Sequence, residues 1–214
     1  MIKSGIYIHF PFCHAKCVYC DFYSVAHQED LIPRFVNGLI REINDFVGLA
    51  GDFQFDTLFL GGGTPSLLTP DQLSAILAAL NSRFGPKDWL EATIEANPGT
   101  VALEKLQAYR QLGINRISLG VQSFNPQNLT FLSRIHSADE SRIAIEHSRT
   151  AGFDNLSCDL IFGLPGQTWS QWQQDLAAVV ELGPEHLSCY NLTVEEQTPL
   201  YDLTSAGKIR MPDD

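Results

Sequence analysis

The chain has 214 residues, of which 44% are hydrophobic and 18% are charged, and its formal net charge is -11. The composition is ordinary for a globular protein, and the length allows one sizeable core or at most two small ones. The acidity argues against a nucleic-acid partner, because nucleic-acid-binding proteins normally present a basic face, and we attribute it to solubility.

Strand-like and helix-like segments alternate along nearly the whole chain. A strand is predicted at 5–10, and a helix with one apolar face at 31–49. A buried strand at 57–60 ends in three glycines, and the next helix begins with a capping box formed by Thr69 and Gln72. The later predicted elements are a strand at 92–96, a helix at 101–112, a strand at 116–121, a helix capped by Ser137 and Glu140, a strand at 156–162, a helix capped by Thr168 and Gln171, and a strand at 186–192.

Such alternation predicts a parallel sheet with helices packed against it. Six units are too few for a closed eight-stranded barrel, so an open partial barrel and a doubly wound sheet are the two candidates. No linker interrupts the pattern, and we therefore predict one α/β domain over residues 1–214. In both architectures the binding residues are expected at the carboxyl ends of the strands.

The termini and the cysteines bear on the cellular compartment. We find neither a signal peptide nor a run approaching the ~20 apolar residues of a transmembrane segment. Three of the five cysteines lie within eight residues, which is a poor disulfide framework and a good metal framework. We therefore expect a cytoplasmic protein.

The loop after the first strand carries Cys13, Cys17 and Cys20 in the spacing C-x3-C-x2-C. Three neighbouring thiolates suit a soft metal or an iron–sulfur cluster. Structural zinc normally takes four protein ligands, although three ligands and a water molecule are known in catalytic sites, so zinc is kept as an alternative. On a four-iron cluster, three ligands would leave one iron open to a small molecule.

A fourth zinc ligand would have to come from His9, His14, Cys158 or Cys189. Strand alternation predicts that Cys158 lies under the helices if Asp159 points inward. We expect Cys189 to be a small buried hydrophobic side chain, which is the usual environment of a free cysteine.

The cysteine spacing is the signature of the radical S-adenosylmethionine (SAM) family, and four segments narrow the resemblance. They are YIHFPFC at 7–13, GGGTPS at 61–66, SLGVQSF at 118–124 and DLIFGLPG at 159–166. They resemble the branch that contains oxygen-independent coproporphyrinogen III oxidase and the HemW-like heme chaperones. The resemblance covers essentially the whole chain, and it implies an open partial (βα)6 TIM-like barrel, a [4Fe–4S] cluster and SAM.

The resemblance also implies individual roles. Cys13, Cys17 and Cys20 would bind the cluster, whose open iron would take the amine and carboxylate of SAM. The implied cofactor contacts are Gly62, Gly63 and Thr64 at the methionine end, Glu95 at the ribose hydroxyls, Arg134 at the carboxylate, and Tyr7, Tyr19, Gln122 and Asp159.

The same residues also have simpler interpretations. The glycines suit a tight turn between a strand and a helix. Glu95 could form a structural pair with an arginine, because a carboxylate is rarely buried alone. Tyr7 could be a core aromatic residue, and Arg134 could be a surface residue.

One position distinguishes the two functions within the branch. The oxidases carry a further cysteine two residues after the third cluster ligand, where this chain has Phe22. The resemblance therefore favours a HemW-like heme chaperone, with heme and a hemoprotein acceptor as partners. The alternative is a coproporphyrinogen III oxidase acting on a porphyrinogen, so whether the protein is an enzyme is left open.

Family members continue into a C-terminal domain, so we expect residues 1–214 to be the radical SAM core alone, with heme binding belonging to a longer parent protein.

Overall fold

The computed structural model of the chain describes residues 2–46, 53–85 and 88–212. The described strands are β1 (Ile2–Phe10), β2 (Phe12–Cys13), β3 (Val25–Ala26), β4 (Phe53–Gly62), β5 (Glu91–Ala96), β6 (Arg116–Gln122), β7 (Leu156–Phe162) and β8 (His186–Asn191). The α-helices are α1 (Ile32–Asp45), α2 (Pro70–Phe84), α3 (Leu103–Gln111), α4 (Pro126–Phe131), α5 (Ala138–Thr150), α6 (Trp169–Glu181) and α7 (Pro199–Ser205).

The long elements follow the local signals in the sequence. The capping boxes at the starts of α2, α5 and α6 are all formed, with Thr69, Ser137 and Thr168 as the capping residues. Helix α1 ends at Asp45, and the predicted residues 47–49 lie outside the described residues. The sequence analysis missed α4, α7 and the β2–β3 pair, because elements of two to seven residues are too short to show a period.

Six strands form one parallel sheet in the order β1-β4-β5-β6-β7-β8. Each strand of this sheet lies beside the next one in the chain, whereas a doubly wound sheet would reverse direction at a switch point. The sheet curls into a half-barrel, so the predicted open partial barrel is confirmed and the doubly wound alternative is wrong.

Successive side chains of each strand alternate between an apolar face, which the helices cover, and a polar face. On the convex side, Phe10, Leu60 and Leu160 are fully buried beneath the helices. Cys158 is fully buried on the same side, as predicted, while Asp159 faces the concave side. The expectation for Cys189 is wrong, because Cys189 is exposed on β8, which is the last strand of the sheet and pairs only with β7.

Among the described residues, no helix has both the length and the apolar character that crossing a membrane requires.

A buried histidine connects the ends of two central strands. His136 lies between α4 and α5 and is only 4% exposed. Its Nε2 donates to the carbonyl oxygen of Val121 at 3.2 Å, and its Nδ1 lies 2.9 Å from the side-chain amide of Asn97. Burial, with a smaller contribution from the neighbouring Arg134, lowers the pKa of His136 from 6.5 to about 4.

The lowered pKa of His136 predicts that part of the free energy of unfolding is lost at acidic pH. As the pH falls from 6.5 to about 4, this histidine becomes protonated in the unfolded chain but stays neutral in the folded protein. The free energy of unfolding therefore decreases by up to about 3 kcal/mol. We expect His136→Asn to remove this component, and His27→Asn, at an exposed histidine, to retain it. Urea unfolding across this pH range measures the effect, and an unchanged pH slope in His136→Asn would contradict it.

Candidate metal and cofactor site

The three clustered cysteines lie in the loop between β1 and α1, at the carboxyl edge of the sheet. The short β2–β3 ladder closes this loop, pairing Phe12 with Val25 and Cys13 with Ala26. The amide of Val25 also donates to the carbonyl oxygen of Pro11 at 2.7 Å. The loop is therefore hydrogen-bonded at its base, and its cysteines are directed toward the open side of the half-barrel.

The glycine turn after β4 packs directly on the cysteine loop. Gly63 N donates to Phe10 O at 2.7 Å, and Thr64 N donates to Phe12 O at 2.8 Å. A Cβ atom on Gly63 would lie 2.6 Å from Phe12 O and 3.0 Å from the Cys13 sulfur. Glycine is needed here because the two backbones meet without room for a side chain. The glycines therefore form a tight turn and also allow the close approach of the two segments.

A small apolar cluster supports the far side of the cysteine loop. Val18 and Tyr19 pack against a second hydrophobic core that contains Leu132, Ile161, Leu164, Leu192 and Leu200. Leu200 belongs to α7, and its amide donates to Val18 O at 2.9 Å. Helix α7, which the sequence analysis missed, therefore helps to hold the cysteines.

A cavity of about 340 Å³ opens beside the three thiols at the carboxyl ends of the strands. It brings together nearly all of the residues proposed from the sequence. Those that line it are Cys13, Cys17, Tyr19, Cys20, Gly62, Gly63, Thr64, Glu95, Gln122, Arg134 and Asp159.

Tyr7 is the proposed site residue that does not line this cavity. Its side chain is 58% exposed, its ring stacks on Phe59, and its hydroxyl lies 3.2 Å from Nδ1 of His9. Tyr7 thus lies on the concave side near Glu95. Partial burial, followed by the charge of Glu95, raises the pKa of Tyr7. It is also not the buried core aromatic residue that the simpler interpretation expects.

The sequence analysis missed further residues of the cavity wall, among them Ser118, Gly120 and Tyr190. Strand alternation could have found the first two, because they share the inward face of β6 with Arg116. A Cβ atom on Gly120 would lie 3.0 Å from Gln122 Nε2 and 3.3 Å from Arg134 Nη2. The absence of a side chain at Gly120 therefore makes room for the side chains of Gln122 and Arg134.

Glu95 is the carboxylate nearest the glycine turn. Its Oε2 accepts a hydrogen bond from Gly62 N at 3.1 Å. Burial raises its pKa to about 7, with a further increase from Asp159, while the Gly62 amide and Arg116 oppose the shift. A half-protonated carboxyl at neutral pH is suited to hydrogen bonding with hydroxyl groups, which donate and accept.

Asp159 is a second, half-buried carboxylate on the adjacent part of the concave face. Ser118 Oγ lies 3.4 Å and 3.3 Å from its two oxygens and donates to them. Burial raises the pKa of Asp159, and hydrogen bonds from Ser188 and Ser118 counteract this effect. The two carboxylates make the inner wall acidic and polar.

Two polar groups in the cavity have buried atoms without a protein partner. They are Oε1 of Gln122 and Nε of Arg134. Gln122 also has a φ of +67°, a left-handed conformation that is uncommon outside glycine. Buried polar atoms are normally satisfied, so these two atoms fit a polar ligand in this cavity.

The three thiols are the candidate ligands of the metal centre. Burial raises the pKa of Cys20, and the nearby Cys17 and Cys13 add to the shift. Cysteine thiolates are the ligands of iron–sulfur clusters, and these three thiols line one cavity, so they fit such a cluster.

Comparison with known proteins agrees with this geometry. The radical SAM superfamily matches residues 7–179. The heme chaperone HemW of Bacillus subtilis is 37% identical over 212 residues, which are 99% of this chain and 56% of that protein. The heme chaperone HemW of Escherichia coli is 40% identical over 196 residues, which are 91% of this chain and 52% of that protein.

Among solved structures, the coproporphyrinogen III oxidase HemN of Escherichia coli, a radical SAM enzyme, superposes with a TM-score of 0.84 at 30% identity. The match covers 99% of this chain and 49% of that one.

The family match spans most of the chain, so the protein belongs to the radical SAM superfamily. Membership implies a [4Fe–4S] cluster and SAM as cofactors, as the sequence analysis predicted. More particularly, the chain resembles the HemW heme chaperones, and it spans about half the length of these curated relatives.

The close contact at Gly63 predicts a sensitive position. We expect Gly63→Ala to displace the Cys13 loop, to lower stability by about 1–3 kcal/mol and to abolish most iron uptake during anaerobic reconstitution, because the new methyl group overlaps Phe12 O. Gly38→Ala in α1 is the matched control, since a Cβ atom there meets no atom within 4 Å. The control should retain iron uptake and gain up to about 1 kcal/mol of stability. Full iron uptake in Gly63→Ala would show that the close packing is not required.

Proposed function

We propose that Cys13, Cys17 and Cys20 ligate three irons of a [4Fe–4S] cluster, and that the fourth iron takes the amine and carboxylate of SAM. The observation that carries this proposal is the convergence of three thiols, two carboxylates and two unpaired polar groups on one cavity. A structural zinc site would require none of the polar wall.

The cavity wall supports specific roles for the remaining residues. Gly62, Gly63 and Thr64 border the cysteine loop, which suits contact with the methionine end of SAM. Arg134 retains a free Nε–H for the carboxylate, and Gln122 retains a free amide oxygen for a donor.

The inner wall suits the nucleoside part of the cofactor. Glu95 and Asp159 offer oxygen atoms to the ribose hydroxyls and to other donors of the cofactor. Tyr19, half-buried beside Cys20, offers a ring face to the adenine, and Tyr7 lies at the margin of the site. When bound, the cluster supplies one-electron reductive cleavage of the sulfonium C–S bond of SAM. The protein contributes positioning and exclusion of water and oxygen.

At the level of the whole protein, we propose a HemW-like heme chaperone that delivers heme to a hemoprotein acceptor. Support comes from the identity to several HemW proteins across nearly the whole chain, and from Phe22 at the position of the extra oxidase cysteine. We also propose that residues 1–214 act as its radical SAM core domain. All five cysteines are free, which fits the reducing cytoplasm proposed as its location.

A coproporphyrinogen III oxidase is the second candidate. The structural similarity to HemN at 30% identity favours this activity. Phe22 disfavours it, because the additional cysteine of the oxidases is replaced by an exposed aromatic side chain.

Cysteine substitutions test the cluster. We expect Cys13→Ser, Cys17→Ser and Cys20→Ser each to abolish most of the bound iron and sulfide and to reduce SAM binding at least about tenfold, because a hydroxyl is a poor ligand for this soft site. Cys189→Ser, at an exposed cysteine away from the cavity, is the control and should retain both. Iron and sulfide analysis with calorimetric SAM titration measures the outcome. Stoichiometric zinc and no iron uptake in the wild-type protein would end the cluster proposal.

Two assays separate the chaperone from the oxidase. The full-length parent protein is reconstituted and incubated anaerobically with coproporphyrinogen III, SAM and dithionite, and in parallel heme is titrated into it and followed by absorbance. We expect saturable heme binding and no decarboxylated product. Product formation without saturable heme binding would overturn the chaperone proposal and establish the oxidase.

A further inference from the structure

Side chains donate hydrogen bonds to two of the three cysteine sulfurs. Thr64 Oγ1 lies 3.5 Å from the Cys13 sulfur, and Arg134 Nη1 lies 3.3 Å from the Cys17 sulfur. Both donors are side chains that other loops bring to the cysteines.

The Thr64 hydroxyl is held in place by its surroundings. Its own amide donates to Phe12 O, and Pro65 follows it at the start of a 3-10 helix, Pro65–Leu67. Only 9% of the residue is exposed. The hydroxyl thus reaches Cys13 from a rigid turn.

The guanidinium of Arg134 is anchored on the opposite side of the site. Its Nη2 donates to Gly120 O at 2.9 Å, and Nη1 points to Cys17. Five N–H groups in a planar fork allow Arg134 to contact the sulfur and still to offer donors to a cofactor carboxylate.

Hydrogen bonds to cluster sulfurs are among the factors that set the reduction potential of an iron–sulfur protein. The reduced cluster carries one more negative charge than the oxidised cluster, and part of that charge resides on the sulfurs. A donor or a cation at a sulfur therefore stabilises the reduced form more than the oxidised form.

We propose that Thr64 and Arg134 are positioning residues that raise the reduction potential of the cluster by donating hydrogen bonds to Cys13 and Cys17. The proposal rests on the proposed cluster site, and it extends the roles of both residues beyond contact with SAM. The step concerned is the transfer of one electron from a reductant to the oxidised cluster, with no bond formed or broken.

The test measures the midpoint potential of the reconstituted cluster without SAM, by dithionite potentiometry followed with electron paramagnetic resonance. Omitting SAM removes any effect of these residues on cofactor binding. Thr64→Ala removes the hydroxyl without adding atoms, and Thr64→Ser restores it. Arg134→Gln removes the charge, and Arg134→Lys keeps the charge but loses the planar fork. Thr150→Ala changes an exposed threonine at the end of α5, away from the cavity, and serves as the matched control.

We expect a more negative potential in Thr64→Ala and a larger negative shift in Arg134→Gln. Thr64→Ser and Thr150→Ala should match the wild type, and Arg134→Lys should fall between wild type and Arg134→Gln. Unchanged potentials in Thr64→Ala and Arg134→Gln, with intact clusters, would overturn the inference. If Thr64→Ala takes up no iron, the Arg134 variants decide the outcome, because they act on a different sulfur. Failure of the wild-type protein to take up a cluster would instead refute the proposed function.

Discussion

The site depends on the backbone contact between the glycine turn and the cysteine loop. The amides of Gly63 and Thr64 donate to carbonyl oxygens of Phe10 and Phe12, and this joins the ends of β1 and β4. Because no side chain separates the two segments, the Cys13 sulfur lies within reach of the turn. The position of the thiols relative to the cavity follows from this contact, and so does the hydrogen bond from the Thr64 hydroxyl to Cys13.

The rest of the half-barrel supplies a polar wall opposite the thiols. Parallel strands carry apolar residues toward the helices and leave the alternate positions to Glu95, Ser118 and Asp159. Burial raises the pKa values of both carboxyl groups, and amide, hydroxyl and guanidinium groups limit that shift. The wall thus carries enough charge to bind a polar ligand. In addition, Gln122 Oε1 and Arg134 Nε have no hydrogen-bond partner in the protein, so they are available to such a ligand.

Much of the fold follows from local sequence signals. Helical periodicity, capping boxes and strand alternation correctly predicted six sheet strands and the helices between them, including the burial of Cys158. The errors concern features without a local signal. Helix α7 is too short to show a period, and the exposure of Cys189 depends on β8 being the last strand of the sheet.

In the candidate site, too, features with a local sequence signal were predicted, whereas features that depend on distant contacts were not. The sequence by itself determined the cysteine spacing, the glycine turn and the polar residues at the strand ends, because each lies within one short segment. Only the tertiary structure decided which of these groups meet. Arg134 reaches Cys17 across 117 positions of sequence, and Tyr7 lies outside the cavity although it precedes the cysteine loop. Such contacts depend on the curl of the sheet and on the paths of loops, which arise from packing among distant elements and leave no periodic pattern in the chain.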